Sequence, residues 1–276
     1  MKKLSLMALA IIVVSVFFYS CKKTEVNEPT GEAPIEEGHR QLKVKGAESL
    51  WRDAANPENP MDEMGLHHNQ CLKFITDNLP YDKLTDAKAV YEASFKYGEV
   101  TFGADEMRVV SGVFKIDELG SFYETIRQDI PSLDAVMEMT KTTGQSREYL
   151  KTLLVGIYDP KITDFEFERA KRDIIEWESG ISGLSISDKE KSSLYGFGST
   201  LRYSLLAWST AEFPEKGDEH VIIEGRFRLR LFGWIATAVF DAVGFIGGSV
   251  ATPVTGVIVG AAMSAGAAGV SAHNGW

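Results

Sequence analysis

Ser187-Asp-Lys-Glu-Lys-Ser-Ser-Leu-Tyr-Gly-Phe-Gly-Ser-Thr-Leu-Arg-Tyr-Ser-Leu-Leu-Ala-Trp208 reads as one long helix with its start written into it. Ser187 and Glu190 form a capping box: the hydroxyl accepts from a backbone amide three residues on, and the carboxylate returns the favour to the cap. Leu194, Phe197, Leu201, Leu205 and Trp208 then recur at spacings of three, four, four and three, which is one face of a 3.6-residue repeat. The pair Gly196 and Gly198 lies inside that stripe with no strand before it, so it is not a phosphate loop.

Working upstream, Thr163-Asp-Phe-Glu166 has the same capping-box form, with Phe167, Ala170, Ile174, Trp177 and Ile181 continuing from it and Gly180 or Gly183 at the end. Tyr149, Leu150, Leu153, Leu154 and Ile157 mark another helix, and Leu133, Val136, Met137 and Thr140 one more, for which Pro131 suits the first turn. Thr85 to Tyr97 predicts a helix burying Val90 and Tyr91. Nearer the start, Met64, His68, Cys71, Leu72, Ile75 and Leu79 fall on one stripe closed by Pro80, after a turn at Asn56-Pro-Glu-Asn-Pro60. Only Glu99 to Lys115, with Val100, Phe102, Val109, Val110, Val113 and Phe114 around Gly103 and Gly112, suggests extended structure, read as a loop or hairpin. The expectation is a mainly α protein, an antiparallel helical bundle over residues 49–213.

Beyond a connector at 214–230 the composition changes. Among residues 231–276, Asp241 is the only Asp, Glu, Lys or Arg, while nine residues are Gly and ten are Ala. Pro253 divides the run into two helices, Leu231 to Ser249 and Val254 to Val270, each near the ~17–25 residues that span a bilayer. Gly244 with Gly248, Gly256 with Gly260, Gly260 with Ser264, and Ala265 with Gly269 are four apart. Such a ridge of small residues lets two helices approach to backbone contact. In water each glycine costs a free helix roughly 1 kcal/mol, so the hairpin needs a partner: a membrane, a second copy, or a groove in its own bundle. Arg226, Arg228 and Arg230 alternate with Phe227, Leu229 and Leu231 and would flank an inserted hairpin at lipid headgroups. Asp241 opposes stable spanning by about 2.5–3.5 kcal/mol, so conditional insertion is expected ahead of permanent spanning, and a buried core hairpin is the other outcome.

The N-terminus places the chain. Lys2 and Lys3 precede an uncharged run from Leu4 to Tyr19, followed by Ser20-Cys21, the layout of an export signal. Sixteen residues make only about 24 Å of helix, short of a ~30 Å hydrocarbon core. Residues 1–20 are therefore expected to be cleaved, an uncleaved anchor being the alternative. Residues 21–48, rich in Glu, Pro and Gly, read as a disordered acidic tether. Loss of Lys2 and Lys3 takes the formal charge from −10 to −12, which argues against a nucleic-acid partner. The only two cysteines are Cys21 and Cys71. Cys71 is expected to be a small apolar residue on a buried face.

Chemistry is sparse. Glu63, His67 and Cys71 lie four apart on one helix face, beside His68, and all three are metal-ligand types. The spacing lacks the His-Glu-x-x-His form, so a metal-dependent enzyme centred on His67 is the least favoured reading. No nucleophile elbow, phosphate loop or dinucleotide fingerprint occurs, and no cofactor or catalytic residue is expected.

Three resemblances add to this. Ser20-Cys21 after the apolar run resembles the lipobox of bacterial lipoproteins, with Phe18 where Leu is usual; that family would have Cys21 lipidated. Asn59-Pro-Met-Asp62 with Gly65 and His67-His-Asn69, then Ile175-Glu-Trp-Glu178, then Leu201-Arg-Tyr-Ser204 with Trp208 resemble a group of uncharacterised Gram-negative lipoproteins. The tail is similar to glycine-zipper bacteriocins, which act at a target envelope, although here a folded domain precedes it. Together they imply a lipid-anchored envelope protein, on the outer membrane or cell surface, held to its membrane through Cys21. Its tail would self-associate or enter a target membrane, through Gly244, Gly248, Gly256, Gly260 and Gly269, as a contact-dependent antibacterial effector. The competing expectation is a structural or adhesin-like surface lipoprotein whose tail completes the core.

Overall fold

A computed structural model of the chain describes residues 48–159, 161, 164–211 and 224–274, with side chains of 48, 224–231 and 272–274 excepted. Its contacts divide the chain into Met1–Ile35 and Glu36–Trp276, and every described residue belongs to the second unit. The signal at 1–20, Cys21 and almost all of the tether lie outside the described residues.

Eleven α-helices and three short 3-10 helices (Arg52–Ala54, Tyr81–Lys83 and Ile181–Gly183) make up the described secondary structure, and no strand occurs among those residues. In chain order the α-helices are α1 (Glu48–Trp51), α2 (Asp62–Asn78), α3 (Ala87–Phe102), α4 (Ala104–Val113), α5 (Ile116–Gln128), α6 (Leu133–Met139), α7 (Gly144–Ile157), α8 (Phe167–Gly180), α9 (Asp188–Thr210), α10 (Glu224–Ser249) and α11 (Pro253–Asn274). Their starts follow local chemistry. Asp86 accepts from the amides of Lys88 and Ala89 to open α3, Ser132 from Ala135 to open α6, and Ser187 with Glu190 closes the capping box of α9. Thr252 accepts from the amide of Thr255 at the head of α11.

Three expectations are corrected. Residues 99–115 are not extended: α3 runs through Phe102, and α4 follows after Gly103. Gly103 sits at φ +88, a conformation glycine adopts cheaply, and it is the joint between the two helices. Gly112 lies within α4, where Val110 is buried while Val109 and Val113 face solvent. The helix after Thr163 begins only at Phe167, with Glu166 at its cap and no side-chain capping bond; Thr163 itself lies outside the described residues. Finally, the helix expected from 231 reaches back to Glu224, so Arg226, Arg228 and Arg230 sit in its first turns.

The two apolar helices are the centre of the bundle. α10 packs on α9 and α6, and α11 on α2, α3, α4 and α5, with the closest pairing between α10 and α11 themselves. Phe232–Ser249 and Pro253–Ser271 meet the length and hydropathy of membrane spans, yet 83% of each window is buried inside the fold. Gly244 lies against Gly260 and Gly248 against Gly256, an antiparallel register. Bulky side chains fill the remaining notches from both sides of the contact between hairpin and shell. A methyl group at Gly196 would strike the Phe245 ring, and one at Gly266 the ring of Tyr123, whose hydroxyl donates to the Ala262 carbonyl at 2.7 Å. Phe240 and Phe245, fully buried, each contribute on the order of 1.5–3 kcal/mol by leaving water.

Candidate functional site

A connected line of buried polar side chains runs through this apolar interior, from the turn before α2, across α8 and α9, to α10. It begins with the local habits of asparagine. Asn56 Oδ1 accepts from the Glu58 amide (3.2 Å) and Asn59 Oδ1 from the Met61 amide (2.7 Å), each an Asx turn imposed between prolines. Both side-chain amides are thereby aimed inward. Asn56 Nδ2 donates to Glu178 Oε2 at 2.6 Å, and Asn59 Nδ2 to Glu178 Oε1 at 2.7 Å and to the Tyr195 carbonyl at 2.9 Å.

Glu178 is 1% exposed and Arg202 not at all. Arg202 reaches Glu178 Oε1 from Nε (3.2 Å) and Nη2 (3.1 Å), Asp62 Oδ1 from Nη2 (2.7 Å), and the Ala54 carbonyl from Nη1. One guanidinium therefore ties the segment before α2, α2 itself, α8 and α9, using the planar fork that lysine lacks. Burial pushes the Glu178 carboxyl up, and Arg202 with the two asparagine amides pulls it part of the way back.

From Asp62 the line continues down the contact between α2 and α9. Tyr203 donates to Asp62 Oδ2 (3.3 Å), Ser199 to the Asp62 carbonyl (2.7 Å), and the Gly65 amide to Ser199 Oγ (3.1 Å). Gly65 is needed there: a Cβ would fall 2.5 Å from Tyr203 Cδ2. Asn69 Nδ2 donates to the Tyr203 carbonyl at 2.9 Å.

The far end is a buried imidazole beside a buried carboxylate. His68 Nδ1 is 3.4 Å from Ser204 Oγ and 3.2 Å from Asn69 Oδ1, and its Nε2 is 3.8 Å from Asp241 Oδ2. Trp208 Nε1 donates to the same carboxylate oxygen at 3.0 Å. His68 and Asp241 are both 0% exposed. Burial pushes the Asp241 carboxyl up; His68, Ser264, Ser204 and Trp208 act against it. Ser264 lies close enough to lower it, yet its Oγ and Asp241 Oδ1 make no hydrogen bond of ordinary geometry. Serine, histidine and aspartate thus stand in a row, but entirely inside the core, where a substrate has no approach.

The three segments behind the lipoprotein resemblance are the ones that meet here. Asn59, Asp62, Gly65, His68 and Asn69 come from the first, Glu178 from the second, and Arg202, Tyr203, Ser204 and Trp208 from the third. Reading residues by apolar stripe alone misses Glu178 and Arg202. A signal was present: Glu178 falls four after Ile174 and three before Ile181, and Arg202 three before Leu205, so each charge sits on or beside a buried face.

The other expected site residues fare differently. His67 is half-buried, edge-on to Phe102 with centroids 5.2 Å apart, and its Nδ1 meets Gln70 Oε1 at 3.1 Å. Cys71 is fully buried, which raises its thiol well above the ordinary range, while Glu63 is exposed. They do not converge, and no group of three or more His, Cys, Asp or Glu placed to hold a metal occurs among the described residues. Gly244, Gly248, Gly256 and Gly260 meet one another across the hairpin, and Gly269 abuts Leu84 and Thr85. The small-residue ridge expected to face a membrane or a second copy is filled from within the chain. Side chains of Arg226, Arg228 and Arg230, like Cys21, lie outside the described residues. A shallow groove of about 300 Å³ between α7 and α8 is lined by Thr152, Leu153, Gly156, Ile157, Asp173, Glu176 and Trp177, none of which belongs to the polar line.

No protein-family model, curated protein or solved structure matches the chain.

Proposed function

We propose that the chain is a lipid-anchored lipoprotein of the cell envelope that works by non-catalytic contact, a structural or adhesin-like surface protein whose C-terminal hairpin completes its own core. The observation that supports the hairpin's part is the backbone approach of Gly244 to Gly260 and of Gly248 to Gly256, with the outer faces of the pair covered by α2, α5 and α9. An apolar pair so enclosed is held by the hydrophobic effect without a lipid phase. The anchor is supported by Cys21 at the end of the export signal.

Truncation after Phe213 tests the core role. The remaining domain, deprived of its centre, is expected to aggregate or to be digested rapidly by protease. A truncated protein as folded and protease-resistant as the whole chain defeats the reading. Mass spectrometry of the N-terminal peptide from native protein tests the anchor: an acylated Cys21 is expected, and a chain unmodified at that sulfur removes it.

A second reading, in which the tail enters a target membrane as an antibacterial effector, is favoured by one observation: the windows Phe232–Ser249 and Pro253–Ser271 are of spanning length and hold one charged residue between them, Asp241. Dye leakage from vesicles exposed to full-length protein, and its absence with the truncation, is the outcome that this reading requires.

A further inference from the structure

Five buried side-chain polar atoms have no hydrogen-bond partner among the described residues, and three of them gather where the hairpin meets its shell: His68 Nε2 on α2, Asp241 Oδ1 on α10 and Ser264 Oγ on α11. All three residues are 0% exposed. Donors and acceptors at this place can be assigned from the bonds around it. Asn69 Nδ2 donates to the Tyr203 carbonyl at 2.9 Å, so it is Asn69 Oδ1 that lies 3.2 Å from His68 Nδ1. An amide oxygen only accepts; Nδ1 therefore carries the ring proton, and in the neutral ring Nε2 is a bare lone pair. That lone pair looks toward a carboxylate, with Asp241 Oδ2 at 3.8 Å, beyond the range of a hydrogen bond. The Trp208 N–H serves Oδ2 at 3.0 Å and leaves Oδ1 unserved. Two acceptors so placed cannot satisfy each other, and no backbone carbonyl can satisfy either. They need one donor with two hydrogens.

We propose that this place is a binding site for one enclosed water molecule, which donates one O–H to His68 Nε2 and the other to Asp241 Oδ1 and accepts from the Ser264 hydroxyl. Three such partners are the usual complement of a buried water, and a contact too long for a direct bond is where a bridging water belongs. Gly260, one turn before Ser264 on α11, walls the site: a Cβ there would fall 2.7 Å from the Asp241 carbonyl oxygen and 3.2 Å from His68 Cδ2. No side chain larger than glycine fits at that position, so α11 comes close enough for Ser264 to reach the shared water. The water then joins α2 to both helices of the hairpin. Its bonds are directional, whereas the apolar contacts around it are not, so it fixes how the hairpin is seated on α2. It belongs to the folded bundle whichever role the tail has outside it.

Crystals of the wild-type protein that diffract well enough to order buried solvent give the direct test. A density peak is expected at about 2.7–3.2 Å from each of His68 Nε2, Asp241 Oδ1 and Ser264 Oγ. A peak at about 2.0–2.4 Å from the nitrogen and the carboxylate would be a metal ion, and Nε2 in direct contact with the carboxylate with no peak between them would be an ion pair; either overturns the water. In solution at neutral pH, long-range proton–nitrogen spectra should show the His68 ring protonated at Nδ1 and bare at Nε2. A proton on Nε2 overturns the assignment of two facing acceptors. Oxygen-17 relaxation dispersion, which counts waters held longer than the protein takes to tumble, should lose one between wild type and the double variant His68→Phe, Asp241→Leu. An unchanged count in a double variant whose thermal melt shows it folded also defeats the proposal. If that variant does not fold, the density map and the ring spectra of wild type decide alone.

Discussion

Gly244 faces Gly260 so closely that a methyl group on Gly244 would lie 2.8 Å from the partner's Cα and 2.8 Å from Met263 Sδ. The first obstacle is backbone, which cannot swing aside as a side-chain end can. Gly244→Ala is therefore expected to destabilise the protein by about 1–3 kcal/mol, the usual cost of overpacking. Gly112→Ala supplies the contrast, because a Cβ there meets nothing within 4 Å and helix propensity alone predicts a gain of roughly 0.5–1 kcal/mol. Urea denaturation of the two variants should move the midpoints in opposite directions. Equal midpoints would mean that the central helices are not packed as described.

Arg202 is the joint on which four segments converge, and its loss strands a carboxylate. Arg202→Met should cost about 3–5 kcal/mol, since Glu178 would be left buried without its counter-charge. Adding Glu178→Gln to that variant removes the stranded charge and keeps one amide oxygen, which can accept from either Asn56 or Asn59 but not from both. The double variant should therefore be more stable than Arg202→Met alone. A simple sum of the two single effects would show that the two residues do not act as a pair.

How much of this was legible in the sequence differs by residue. α9 was readable because Ser187 and Glu190 mark its start and Leu194 to Trp208 its buried face, and both signals agree. α4 was misread because Val109, Val110 and Val113 favour strands locally, whereas burial of Met107 and Val110 against the bundle decides the outcome. The polar line was hidden for another reason. Charged residues are usually solvated, and only tertiary structure brings Glu178 to Arg202 or His68 to Asp241 across 24 and 173 positions of chain. The glycine ridge was visible, but its partner was not, since spacing cannot distinguish a lipid from the chain's own second helix.

Cys71 should be nearly unreactive. Complete burial raises its thiol well above the ordinary range, and only thiolate reacts appreciably with alkylating reagents. In folded protein its labelling should proceed through global or local opening, and it should become rapid in denaturant. Mass spectrometry after timed exposure to iodoacetamide measures this. Rapid, complete labelling of the native chain would contradict the placement of α2.

Asp241 should make the protein more stable in acid than at neutral pH, at least through its own contribution. Its carboxyl is raised above the ordinary 3.8 by burial, against the pull of His68 and its polar neighbours. Above the unfolded value the native state holds the proton that the unfolded chain has released, so stability falls as pH rises through the raised native value. The contribution is fully present below about pH 3.8 and gone once the native carboxyl has ionised. Asp241→Asn cannot ionise and still offers Trp208 an acceptor, so it escapes this loss. Stability of the variant minus that of wild type should grow as pH rises across the window, by at most about 1.4 kcal/mol per pH unit, and then level off. Taking the difference cancels the titration of Glu178, which is raised for similar reasons. Denaturant titrations at a series of pH values measure it, and a difference that stays constant from acid to neutral would show that Asp241 titrates as an exposed carboxylate does.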